Sequence, residues 1–101
     1  MSVLEEVLKE EYDRSMRLIG LMEQELSTLP RGSIRMRVIG GHEYCYLNHR
    51  EGKRVVSDYI KQADVDEIKK KIARRKELKE ALKVQRDLIK RLQRALGVKG
   101  G

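Results

Sequence analysis

Apolar positions along the chain change period twice. From Leu8 they recur at Tyr12, Ser15, Ile19, Met22, Leu26 and Leu29, in alternating steps of four and three. That spacing predicts one face of a helix, with a heptad-like stripe. Val3, Leu4, Val7 and Leu18 widen the stripe. Ser2 and Glu5 form a capping box at its start, and Pro30 forces the end by pushing Leu29 out of helical geometry. Gly20 sits inside the pattern as a weak point, and as a place where a neighbouring helix could approach closely.

After the Arg31-Gly32 turn the period falls to two. Ile34, Met36 and Val38 alternate with Arg35 and Arg37, which predicts a strand over 33–39. Gly40-Gly41 fits a two-residue hairpin loop, where positive φ is required. A second strand follows from His42, with Tyr44 and Tyr46 on one side and Cys45 and Leu47 on the other. Gly52 marks another turn. Arg54–Ile60 then reads as a third strand, with Val55, Ser57 and Tyr59 opposite Val56, Asp58 and Ile60. Three short strands with tight turns predict an antiparallel meander, which needs a helix against one face to be stable.

The helical period returns at Asp64, which with Glu67 suggests a second capping box, and it extends to Leu96 ahead of Gly97. Such a helix is roughly 50 Å long. Its apolar stripe comes in two parts, Val65-Ile68-Ile72 and then Leu78-Leu82-Ile89-Leu92-Leu96, out of phase with each other. The break is Ala73-Arg74-Arg75-Lys76. The first part is expected to cover the sheet and the second to pair with the first helix, leaving the basic break exposed. The predicted fold is therefore α+β, in the order α-β-β-β-α, with the helices as an antiparallel hairpin and the sheet at one end. One domain is expected, made of a helix over 2–29, a sheet over 33–60, a helix over 64–96 and a tail over 97–101.

Charge divides along these elements. Residues 1–30 carry three basic and seven acidic groups, residues 31–62 seven and three, and residues 63–101 thirteen and six, giving +7 in all. An acidic first helix and a basic remainder predict an acidic partner for the sheet and second helix. No apolar run approaches a membrane span, and the amino terminus lacks the pattern of a signal peptide. Cys45 is the single cysteine, which excludes an internal disulfide and fits a reducing, cytoplasmic setting.

Two constellations are candidates for binding. One is the sheet surface with Arg35, Arg37, Tyr44, Tyr46, Lys53 and Arg54, suited to phosphates and base edges. The competing reading is that the tyrosines cover a core or dimer face while arginine keeps the edges soluble. The other candidate is a helix stripe of Lys69, Lys70, Arg74, Arg75 and Lys76, with Lys71 among them, against the alternative of an ordinary solvated face. His42, Cys45 and His49 suggest a metal site, but strand alternation sends His42 and Cys45 to opposite faces. No metal or cofactor is expected. There is no phosphate-binding glycine loop, nucleophile elbow or carboxylate cluster, so no catalytic residue is assigned. The Gly100-Gly101 ending resembles conjugatable tails but is expected to be a frayed terminus.

The set Gly32-Ser33-Ile34-Arg35, Tyr44-Cys45-Tyr46, Gly52-Lys53-Arg54 and Tyr59-Ile60, followed by a helix, resembles the arm-type DNA-binding domain of phage and transposon tyrosine recombinases over residues 31–76. That resemblance implies a three-stranded sheet in a major groove, with contacts from Arg35, Arg37, Tyr44, Tyr46 and Arg54. The long first helix, the extended second helix and the lack of a recombinase catalytic domain depart from the pattern. The whole chain also resembles small bacterial and phage proteins, which points towards mobile elements. The expected function is a non-enzymatic nucleic-acid-binding protein, acting on duplex DNA as a homodimer. The alternatives are a phage protein that inhibits a host defence nuclease complex through an acidic protein or ribonucleoprotein surface, in the manner of an anti-CRISPR, and a coiled-coil dimerisation or adaptor module.

Overall fold

The computed structural model describes residues 2–97; the expected tail beyond Gly97 lies outside them. Helix α1 spans Val3–Ser27, strands β1, β2 and β3 span Ser33–Ile39, His42–Glu51 and Arg54–Ile60, and helix α2 spans Val65–Ala95. The order is α-β-β-β-α, and the strands form one antiparallel sheet, β1-β2-β3. The chain forms two compact units. One contains α1 with residues 77–97 of the described chain, and the other contains residues 29–76. α2 belongs to both, and the division falls at the end of the basic break in its apolar stripe.

The helical unit is built on the second stripe of α2. Leu78, Leu82, Ile89 and Leu92 are buried, each contributing about 1.5–3 kcal/mol by leaving water. α1 faces them with Leu8, Tyr12, Ile19, Met22 and Leu26, all half-buried. The fully buried residue of α1 is Ser15, whose hydroxyl donates to Gln85 Oε1 at 2.6 Å. Arg86 reaches Glu23 at 2.9 Å, so the acidic and basic helices pair as their charges require. Ser2 caps α1 by accepting from the Glu5 amide at 3.2 Å. The helix ends at Ser27, with Thr28 as its C-cap, because the residue before Pro30 cannot continue it. Gly20 is not a helix-packing contact. A Cβ there would meet nothing within 4 Å.

In the sheet unit, Gly40 and Gly41 take φ of +59° and +81°, the double positive φ of a type I′ hairpin turn. The ladder pairs Ile34 with Leu47, Met36 with Cys45 and Arg37 with Tyr44, and then Cys45 with Ile60, Tyr46 with Tyr59 and Leu47 with Asp58. Partners across a ladder share a face. One face thus carries Ile34, Cys45, Leu47 and the buried Ile60. α2 meets this face at its first turn, where Val65 shares a cleft with Cys45 and Ile60. Val65, Ile68 and Ile72 are half-buried, as the first part of the stripe requires. The Asp64–Glu67 capping box does not set the start of α2. Asp64 closes a 3-10 turn by donating its amide to the Lys61 carbonyl at 2.8 Å, and Glu67 pairs forward with Lys71 at 3.4 Å.

Candidate nucleic-acid interface

The other sheet face is open. The ladder register places Arg35, Arg37, Tyr44, Tyr46, Asn48, Arg50, Ser57 and Tyr59 on it together. None of the sheet's carboxylates is there. Glu43, Glu51 and Asp58 pair with Val38, Arg54 and Leu47 respectively, so all three belong to the opposite face. Strand alternation has sorted the charges, with Arg35, Arg37 and Arg50 on the open face and all three carboxylates, together with Arg54, on the other.

The tyrosines form a connected group. Tyr59 lies between the other two, with ring centroids 6.2 Å from Tyr44 and 5.9 Å from Tyr46 and planes tilted by 59° and 66°. These edge-to-face contacts are the favoured aromatic geometry. The Arg37 guanidinium lies over the Tyr46 ring at 5.2 Å from its centroid. Stacking there holds a flexible cation in one place while its N–H donors remain available at the rim. Further along the face, Ser57 donates to Asn48 Oδ1 at 2.5 Å. Beside that pair, Ser33, Arg35, Asn48 and Arg50 border a shallow, solvent-open depression.

The expected site residues separate on this frame. Arg35, Arg37, Tyr44 and Tyr46 come together. Arg54 does not join them, because it pairs with Glu51 on the carboxylate-bearing face. Lys53 sits in the exposed β2–β3 turn. The helix cations do not make one stripe. At 3.6 residues per turn, Lys69 and Lys76 share one flank, Lys70 and Arg74 point another way, and Arg75 turns towards Ile68 and Ile72 and is half-buried. Among these cations Lys69 borders the cleft that Tyr44 and Tyr59 also line. Tyr59 and Arg50 belong to the open face but were not among the expected site residues. Their signal was the parity of β2 and β3, legible once the strands are paired.

The three metal-like residues are divided as alternation requires. His42 is on the open face, and Cys45 and His49 are on the other. His49 Nε2 is instead 2.6 Å from Asp58 Oδ2, a diagonal cross-strand pair. Glu43, Asp66 and Lys69 are among the residues that line the Cys45–Ile60–Val65 cleft, whose volume is about 320 Å³. Among the described residues, no helix is long and apolar enough to cross a membrane.

A family model described as a domain of unknown function, DUF6788, matches residues 1–70. The chain belongs to the DUF6788 family. The DUF6788 match takes in α1, the whole sheet and the first six residues of α2, and stops before Arg74, Arg75 and Lys76. No curated protein and no solved structure matches the chain.

Proposed function

We propose that this protein binds nucleic acid through the open sheet face, with duplex DNA as the favoured target, and performs no catalysis of its own. The observation that carries this reading is the sorting of charge. Three arginines and three tyrosines share a face that holds no carboxylate. Phosphates supply the negative charge such a face lacks, and arginine and tyrosine are both suited to meet them. A trimethylated or other bulky cation would also suit three tilted tyrosines, but the flanking guanidinium groups repel it.

Two features favour a duplex over a single strand. Two inter-strand spacings make the sheet backbone roughly 10 Å wide, comparable with a major groove of about 12 Å. The tyrosine rings are steeply tilted to one another, and Arg37 occupies a face of Tyr46, so they form a poor platform for successive stacked bases. The resemblance to arm-type domains points the same way. Lys69 adds charge at the margin, and the cytoplasm is the compartment in this reading. The protein acts as a homodimer, which presents two faces to one target.

Binding of duplex DNA, single-stranded DNA and RNA, measured in parallel by fluorescence anisotropy across a salt series, tests the proposal. With three arginines at phosphates, log K against log salt should fall with a slope of about −3 for the duplex. A flat salt dependence, or no nucleic acid bound at low salt, overturns it. A defined protein or ribonucleoprotein captured by the same face without free nucleic acid would favour the inhibitor reading instead.

A further inference from the structure

α1 carries a second seam that stays largely open, with Leu4, Val7, Arg14 and Leu21 exposed and Glu11 and Leu18 half-buried. The half-buried stripe from Leu8 to Leu26 meets α2, and beside it runs the series Leu4, Val7, Glu11, Arg14, Leu18 and Leu21, again in alternating steps of three and four. Leu4 is 68% exposed, Val7 47% and Leu21 63%. A helix with this much open apolar surface, whose fully buried residue is a serine, is only half packed by its neighbour. Glu11 and Arg14 break the seam at its middle, where their side chains approach each other at 3.8 Å, that of Arg14 67% exposed and that of Glu11 47%.

We infer that this seam is the interface with a second copy of the same chain, α1 against α1, antiparallel about a two-fold axis. The argument is self-complementarity. In an antiparallel pair, each a-type position faces a d-type position of the other helix, so the two residue numbers in every layer have one sum. Here Leu4 faces Leu21 of the second copy, Val7 faces Leu18, and Glu11 faces Arg14, each with a sum of about 25 by this layer rule. Apolar meets apolar at both ends, and opposite charges meet in the centre. An isologous contact of this kind repeats every layer twice. The parallel, in-register alternative sets Glu11 against Glu11 and Arg14 against Arg14, and like charges in a seam disfavour it. The axis passes between Tyr12 and Asp13, close to the middle of α1. This gives the proposed homodimer its interface, and it holds whatever the sheet face binds.

The test uses nuclease-treated protein, so that nucleic acid cannot bridge copies. Multi-angle light scattering at about 100 µM should give a dimer, and a monomeric mass overturns the proposal. Glu11→Arg sets arginine against arginine and should weaken dimerisation about tenfold or more, with helicity unchanged by circular dichroism. The swap Glu11→Arg with Arg14→Glu restores the pairing and should return the dimer constant to within about threefold of the starting value. Should both charge variants unfold, cross-linking decides independently in a Cys45→Ala background. Leu4→Cys with Leu21→Cys, roughly 26 Å apart along one helix, should form a disulfide-linked dimer on oxidation. Leu4→Cys alone should not. Cross-linking by Leu4→Cys alone, or none by the pair, overturns the antiparallel seam.

Discussion

Arg37 lies diagonally across the β1–β2 ladder from Tyr46, with its guanidinium 5.2 Å from the ring centroid. The direct partner of Arg37 is Tyr44, so the contact bridges two rungs of the sheet and fixes the direction of the cation. Position matters as much as charge at such a site. Arg37→Lys keeps the charge but loses the planar stack and the fork of donors. In the nucleic-acid reading it should weaken duplex binding by about 1 kcal/mol, and Arg37→Gln by about 1–3 kcal/mol with the salt slope reduced by about one. Tyr46→Phe should retain most of the affinity and Tyr46→Ser should not. Anisotropy titrations of the four variants at two salt concentrations check the set.

Ser15 and Gln85 test a different kind of dependence. The serine hydroxyl is buried and its partner amide is half-buried. Ser15→Ala leaves the amide oxygen short of a donor and should cost about 1–2 kcal/mol in urea denaturation. Removing both polar groups, with Gln85→Leu added, should recover most of that loss or exceed the original stability. Equal losses in the single and double variants would show that the hydrogen bond is not what the serine supplies.

Two glycines should respond in opposite directions. At Gly32, with φ of +119°, an added Cβ would lie only 2.2 Å from the Asn48 carbonyl oxygen, which no side-chain motion can relieve. Gly32→Ala should destabilise by about 2–4 kcal/mol. Gly20 lies in regular helix with nothing near it, so Gly20→Ala should stabilise by about 0.5–1 kcal/mol. Thermal melts resolve both, since one kcal/mol moves the midpoint by about 4–8 °C in a domain this small.

Much of this arrangement can be read from the residues. The change from heptad to alternating period gives the element order, and the Gly40-Gly41 pair gives the hairpin, because each depends on local geometry that the sequence encodes directly. The break in the α2 stripe at Ala73-Arg74-Arg75-Lys76 ends where the compact units divide, because a helix that packs on two different surfaces must turn its apolar side between them. The misses are matters of direction. Local density of Lys and Arg suggests one stripe, while the helical repeat spreads those residues around the axis. Arg54 follows a turn and is adjacent in sequence to Lys53, yet its pairing with Glu51 assigns it to the opposite face from Arg35. Asp64 has the composition of a cap, but the chain enters α2 through a 3-10 turn that satisfies the backbone in another way.

The Gly40-Gly41 turn makes no contact that an added Cβ would disturb, yet it decides the sign of the sheet's outer surface. Parity is the reason. If β2 slipped by one residue against β1, Glu43, Cys45 and Leu47 would turn outward and Tyr44 and Tyr46 inward. Every strand residue would still be present, and the overall charge would not change. The surface would nonetheless offer a carboxylate and a thiol where it now offers phenols. A loop of two residues therefore stores the identity of that surface as an even or odd count.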